Sequence, residues 1–229
     1  MRRLLLPAGH GSLPGLLVGL TVVTGLVDAV SYIALGRVFV ANMTGNVVLL
    51  GFAVAGEGGL SIAASLTAIA AFLAGAAAGG ELGRRIADRG ALLSAGAAVG
   101  TVLLALACVC GFLAGDPVDG AWRYVLIVLM AIALGGQNAV ARKLAIPDLT
   151  TTVLTLTLTG LAADGFRAFK PRRLVAVVAM FAGALVGGLL TLGPGPAWAL
   201  LLAVAITAGV AASAERVRAR GGAQDDPRL

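Results

Sequence analysis

Six apolar runs, each long enough to cross a bilayer, dominate this chain and leave it few folds to choose from. They cover approximately residues 13–35, 60–83, 91–114, 121–142, 173–193 and 196–214. A hydrocarbon layer of about 30 Å takes about 20 residues of helix to span. Inside lipid every backbone N–H and C=O must be paired within the protein, so isolated runs of this kind are helices. Composition agrees. Of 229 residues, 59% are hydrophobic and only 12% charged, against about 25% charged in soluble domains. A larger soluble core cannot absorb the difference, because a chain this short still exposes much of its surface. The 33 glycines suit helices that approach closely through small residues. The predicted class is an all-α polytopic membrane helix bundle, a single membrane domain over residues 1–229.

Two further apolar runs, 42–56 and 150–163, are shorter and polar at one end. The second alternates Thr with Leu or Val from Thr150 to Thr159. That is strand-like patterning, but a lone strand in lipid leaves its backbone unpaired. A helix whose threonines bond back to their own carbonyls is expected. Charge then sets the topology. If the six long runs span and the two short ones do not, and the N-terminus is inside, all but Arg37 and Arg123 of the 17 Lys and Arg fall on the cytoplasmic side. If the short runs spanned as well, Arg84, Arg85 and Arg89 would move outside, against the positive-inside rule. Both termini are therefore expected in the cytoplasm of a bacterium, with the chain in the inner membrane. The net charge of +6 marks this orientation and not a nucleic-acid partner. Arg2 and Arg3 precede an apolar run that continues to Ile33 and contains Asp28. That is longer than a signal-peptide core, so a retained first helix is expected. The segment 215–229 reads as a charged cytoplasmic tail, disordered past the last helix, whose basic residues favour anionic membrane lipid.

The chain also repeats itself. Asp28-Ala29-Val30 matches Asn138-Ala139-Val140 at an offset of 110, and Gly51 and Gly56 match Gly160 and Gly165 at 109. Phe72-x-x-Gly75-x-x-x-Gly79-Gly80 resembles Phe181-x-Gly183-x-x-x-Gly187-Gly188 at 108. Each half, 1–115 and 120–214, then reads as span, short broken segment, span, span. Three spans per half is odd, so the second copy enters the membrane upside down. This 3+3 inverted repeat, with interruptions at matching places, is the plan of many transporters.

Two stretches are similar to a known family: V-D-A-V-S-Y-I-A-L-G-R-V-F-V-A-N-M-T-G-N-V-V-L-L-G from Val27 to Gly51, and G-Q-N-A-V-A-R-K-L-A-I-P-D-L-T-T-T-V-L-T-L-T-L-T-G from Gly136 to Gly160. They resemble the YoaK family of bacterial six-helix inner-membrane proteins, a domain of unknown function. The resemblance covers nearly the whole chain. It implies architecture and location, and no activity.

Function must come from polar residues in apolar surroundings. Asp28 is the sharpest of them. A carboxylate near mid-helix costs on the order of 3 kcal/mol on insertion scales and faces a bundle interior or a wet cavity. It reads as a protonation or cation site; the structural alternative is a cap bonding Ser31, Tyr32 or the broken segment. Asn42-Met43-Thr44-Gly45-Asn46 combines N-cap residues with a permissive glycine. A half-helix starting there would aim free N–H groups and the positive end of its dipole at the protein centre. Pro147-Asp148-Leu149-Thr150-Thr151 offers the same in the other half, unless the two segments only bond each other. Gln137 and Asn138 are more often interhelical glue than ligands. Gly75-x-x-x-Gly79 and Gly183-x-x-x-Gly187 read as packing seams, and Cys108 and Cys110 as small packing residues. Glu81 is placed to pair with Arg84 and Arg85. His10 reads as interfacial.

No phosphate-binding loop, metal cluster or Ser/His/Asp set is present, so no catalytic residue, metal or cofactor is expected and the chain does not read as an enzyme. The candidate substrate-binding set is Asp28, Tyr32, Asn42, Thr44, Gly45, Asn46, Gln137, Asn138, Thr151 and Thr155. It fits a small-solute secondary transporter or permease, with a small-molecule or ion solute as its partner and Asp28 taking up a proton or cation. The alternative is a non-transporting membrane module that binds a lipid or protein partner. One six-span unit is small for rocking two bundles, which is compatible with a homodimer.

Overall fold

The computed structural model describes residues 13–144 and 171–224. Among them are seven helices and no strand: α1 (Leu13–Ala34), α2 (Met43–Val54), α3 (Ile62–Arg85), α4 (Arg89–Ala114), α5 (Gly120–Leu144), α6 (Pro171–Leu192) and α7 (Pro196–Gln224). All but α2 are long and apolar enough to cross a membrane. The run 150–163 lies outside the described residues. Local chemistry sets the helix ends. Ser61 and Asp88 cap α3 and α4 by accepting the Ala64 and Ala91 N–H groups at 3.2 and 2.6 Å. Pro171 and Pro196 open α6 and α7, where proline's missing N–H costs nothing.

The last helix outruns its apolar run, which ends near residue 214: α7 continues to Gln224. Ala211 to Ala219 is rich in strong helix formers, and Glu215 pairs with Arg218 at 3.4 Å on the extended turns.

Close contacts give the helix directions. A Cβ at Gly79 would lie 2.6 Å from the Gly136 carbonyl oxygen, and one at Gly75 would strike the Ile132 carbonyl. Four residues along α3 correspond to four along α5, so these two run parallel. A Cβ at Gly183 would strike the Val22 carbonyl, and one at Gly187 would lie 2.8 Å from Leu26 Cα, so α6 and α1 also run parallel. In contrast, Gly111 sits beside Ala197 while Ser94 Oγ bonds the Ala211 carbonyl at 3.4 Å, which makes α4 and α7 antiparallel. Arg123 near the start of α5 lies against Gly36 past the end of α1, and Gln137 reaches back to Leu20, so α1 and α5 oppose each other.

The six long helices thus alternate in direction along the chain. The ends of α3, α5 and α7 and the start of α4 meet at one end of the bundle, bringing Arg84, Arg85, Arg89, Arg142, Lys143, Arg216 and Arg218 together there. Arg84 and Arg85 both pair with Glu81. At the other end lie Arg37, Glu57, Asp116, Asp119 and Arg123.

The two parallel seams match contact by contact. A Cβ at Gly135 would strike the Phe72 carbonyl and approach Ala76 N; at Gly25 it would strike the Met180 carbonyl and approach Ala184 N. Gly79 meets Gly136 and Ala139; Gly187 meets Leu26 and Ala29. Every pair maps onto its counterpart at an offset of 108 on one side and 110 on the other. The central helices are α1 and α5, whose Leu26, Val27, Leu126, Ile127 and Leu134 are fully buried. The lipid-facing sides of α4 and α6 leave Val99, Val102, Phe181 and Leu189 exposed.

Candidate functional site

The site forms where α1 hands over to α2. Gly36 and Arg37 have positive φ, 88° and 58°, and turn the chain back toward the bundle. Residues 38–41 are non-helical and enter the core, with Val38 and Val40 fully buried. Non-helical backbone at membrane depth is tolerated only when protein satisfies it. Two polar side chains do so. Asp28 Oδ1 accepts the Val40 and Ala41 N–H groups at 3.0 and 2.9 Å. Asn46, fully buried on α2, accepts the Phe39 N–H at 2.8 Å through Oδ1 and donates to the Phe39 carbonyl through Nδ2 at 2.5 Å. Asn42 is the N-cap of α2, and its side chain accepts the Gly45 N–H at 3.2 Å.

Beside this turn lies a cavity of about 680 Å³. Asp28, Asn42, Thr44, Gly45 and Asn138 line it, with Thr24, Phe39, Phe72, Met43 and Met180. Both N–H donors to Asp28 go to Oδ1; Oδ2 takes no hydrogen bond among the described residues. Asn138 donates to the Leu134 carbonyl at 3.0 Å. The lining includes two pairs of positions related by the sequence offsets, Asp28 with Asn138 at 110 and Phe72 with Met180 at 108.

The family model described as "Protein of unknown function (DUF1275)" matches residues 16–213. The chain belongs to this DUF1275 family. It is also similar to the UPF0700 transmembrane protein YoaK of Bacillus subtilis (strain 168), 36% identical over 148 residues. That match is 63% of this chain, and the chain spans 64% of the length of that curated relative. No solved structure matches. Six apolar helices and a transmembrane relative make this DUF1275 protein a multi-pass membrane protein.

Of the residues singled out in the sequence, Asp28, Asn42, Thr44, Gly45 and Asn138 share the cavity. Tyr32, Asn46 and Gln137 do not line it. Tyr32 is in the last turn of α1, turns outward and stacks on Phe39 with ring centroids 5.1 Å apart. Asn46 is consumed by the Phe39 backbone. Gln137 donates to the Leu20 carbonyl at 3.2 Å and to Thr24 Oγ1 at 3.3 Å, tying α5 to α1, and lines a separate cavity of about 170 Å³ between α3, α4 and α5. Thr151 and Thr155 lie outside the described residues. Sequence reasoning missed Phe72, Met180 and the backbone of residues 39–41. The first two stand 108 residues apart, the offset of the glycine motifs, so aligning the chain on those motifs would have paired them.

Asn46→Ala strips both partners from Phe39. Unsatisfied buried groups cost about 1–3 kcal/mol each, so a fall of about 5 °C or more in unfolding temperature is expected in detergent. An unchanged midpoint would mean that Asn46 does not hold the turn.

Proposed function

We propose that this protein is a small-solute secondary transporter or permease of the bacterial inner membrane, and not an enzyme. Its halves, 1–115 and 120–214, are inverted copies of one three-span unit. The solute occupies the Asp28 cavity, and Asp28 exchanges a proton or cation as it moves. The observation that carries this reading is the cavity's composition. Equivalent positions from both halves converge on one cavity, and one of them is a carboxylate in an apolar helix. Transporters built from inverted repeats hold solute at such a junction, next to interrupted helices. Here α2 is the interruption, and its first residues line the space. The basic end of the bundle is read as cytoplasmic, which puts both termini there. A homodimer is the working assembly.

The test is flux into proteoliposomes. Asp28→Asn should abolish pH- or cation-dependent uptake while the protein stays folded. Unchanged coupling removes Asp28 from the mechanism.

A second reading has its own support: Asp28 and Asn46 already satisfy the buried turn, so the polar residues could serve the fold alone. The protein is then a membrane module that binds a lipid or a protein partner. Native-state ligands raise the unfolding temperature, so a solute screen that moves no midpoint favours this second reading.

A further inference from the structure

We propose that the Asp28 cavity selects an organic ammonium ion, a small cation carrying its own apolar groups. This deepens the transporter reading and rests on its site. Asp28 is only 5% exposed. Oδ1 is saturated by two N–H groups, while Oδ2, on the same buried carboxylate beside the cavity, takes no hydrogen bond among the described residues. No Lys, Arg or His is among the described lining residues. The two arginines described at this end of the bundle do not line the cavity: Arg37 lies beside Gly59, and Arg123 beside Gly36, with Asp119 at 3.4 Å.

The start of α2 also faces the cavity and favours an anion, but a helix N-terminus is worth about half an elementary charge. One of its N–H groups is already taken by Asn42. A full carboxylate outweighs it, and among the described residues the net charge of the lining is negative.

The rest of the lining decides which cation. Phe39 and Phe72 bring aromatic rings, and Met43 and Met180 bring thioethers. Rings attract ammonium groups, and methionine conforms to irregular apolar shapes. Magnesium and calcium need six or more oxygen ligands, whereas among the described residues no group of three His, Cys, Asp or Glu gathers anywhere. The volume of about 680 Å³ is in the range of sites for small organic molecules, about 300–1,000 Å³.

The experiment uses the full chain in lipid nanodiscs and measures thermal unfolding. Tetramethylammonium chloride is compared with sodium acetate and sodium phosphate at matched ionic strength. Tetramethylammonium should raise the midpoint saturably, and Asp28→Asn should weaken its binding roughly 30-fold or more. Stabilisation by acetate or phosphate instead, no response to any probe, or an unchanged affinity in Asp28→Asn each overturns the proposal. Should Asp28→Asn not fold, Asn138→Asp adds a carboxylate to the same cavity and keeps Asp28. It must then bind tetramethylammonium more tightly than wild type, and equal or weaker binding overturns the proposal. Uptake is scored separately. Ammonium binding without uptake upholds this inference and sinks the transporter reading; Asp28-dependent uptake of acetate without ammonium binding does the reverse.

Discussion

Alanine at Gly135 or at Gly25 is expected to lower the unfolding temperature of the detergent-solubilised protein on the order of 10 °C. A new Cβ at Gly135 falls on the Phe72 carbonyl and, 3.0 Å away, on Ala76 N; at Gly25 it falls on the Met180 carbonyl and, 2.7 Å away, on Ala184 N. These obstacles are helix backbone, which cannot step aside as a flexible side chain would. The helices must separate, and overpacking of this kind costs about 1–3 kcal/mol, occasionally more. At about 2–4 °C per kcal/mol for a chain of this size, the upper end gives the expected shift. Gly80→Ala is the control. It stands next to Gly79 on the same helix, but nothing lies within 4 Å of its Cβ position. Alanine there should leave the midpoint unchanged or raise it slightly, since glycine is the weaker helix former. The two seams also test the duplication. If the halves are copies, Gly135→Ala and Gly25→Ala should cost the same within about 0.5 kcal/mol. Full stability in both variants would mean that the helices do not meet as described.

The seams show how far the chain could be read before its structure was known. Hydropathy gave the six spans because lipid punishes any polar interruption of a run, and each predicted boundary falls within two residues of the observed one except at the end of α7. There the apolar run stops while the helix does not, because Ala, Glu and Arg propagate helix whether or not lipid surrounds them. Glycine spacing exposed Gly75, Gly79, Gly183 and Gly187 as seam residues. It could not say that α3 meets α5 and α6 meets α1, because a small-residue stripe carries no address. The partner glycines, Gly135 and Gly25, have no spacing motif and went unread.

The site divides in the same way. Asp28, Asn42, Thr44 and Asn138 were legible because a polar residue in an apolar stretch must have a reason. What each one bonds was not legible. The Val40 and Ala41 N–H groups reach Asp28 only because the chain reverses at Gly36 and Arg37, and hydrophobic periodicity says nothing about such a turn. Asn46 and Gln137 looked like Asn42 and Asn138 by composition. One was claimed by the Phe39 backbone and the other by α1, so residue type alone could not separate a residue that lines the cavity from one that does not.

That ambiguity is sharpest at Asp28, and two substitutions there should give opposite results. Asp28→Ala removes the acceptor of two buried N–H groups. At about 1–3 kcal/mol for each group left unpaired, the loss is about 4 kcal/mol, or about 10 °C in the unfolding midpoint. Asp28→Asn keeps a carbonyl oxygen where Oδ1 stands, so both bonds survive in neutral form. It also relieves the membrane of a buried charge, which is itself unfavourable. Its midpoint should stay within about 2 °C of wild type. An alanine variant as stable as wild type would show that the turn is not held by Asp28. An asparagine variant as unstable as alanine would show that the fold needs the negative charge itself. Only a stable asparagine variant separates what Asp28 does for the fold from what its second oxygen does in the cavity, so this measurement must precede any test of the transport proposed above.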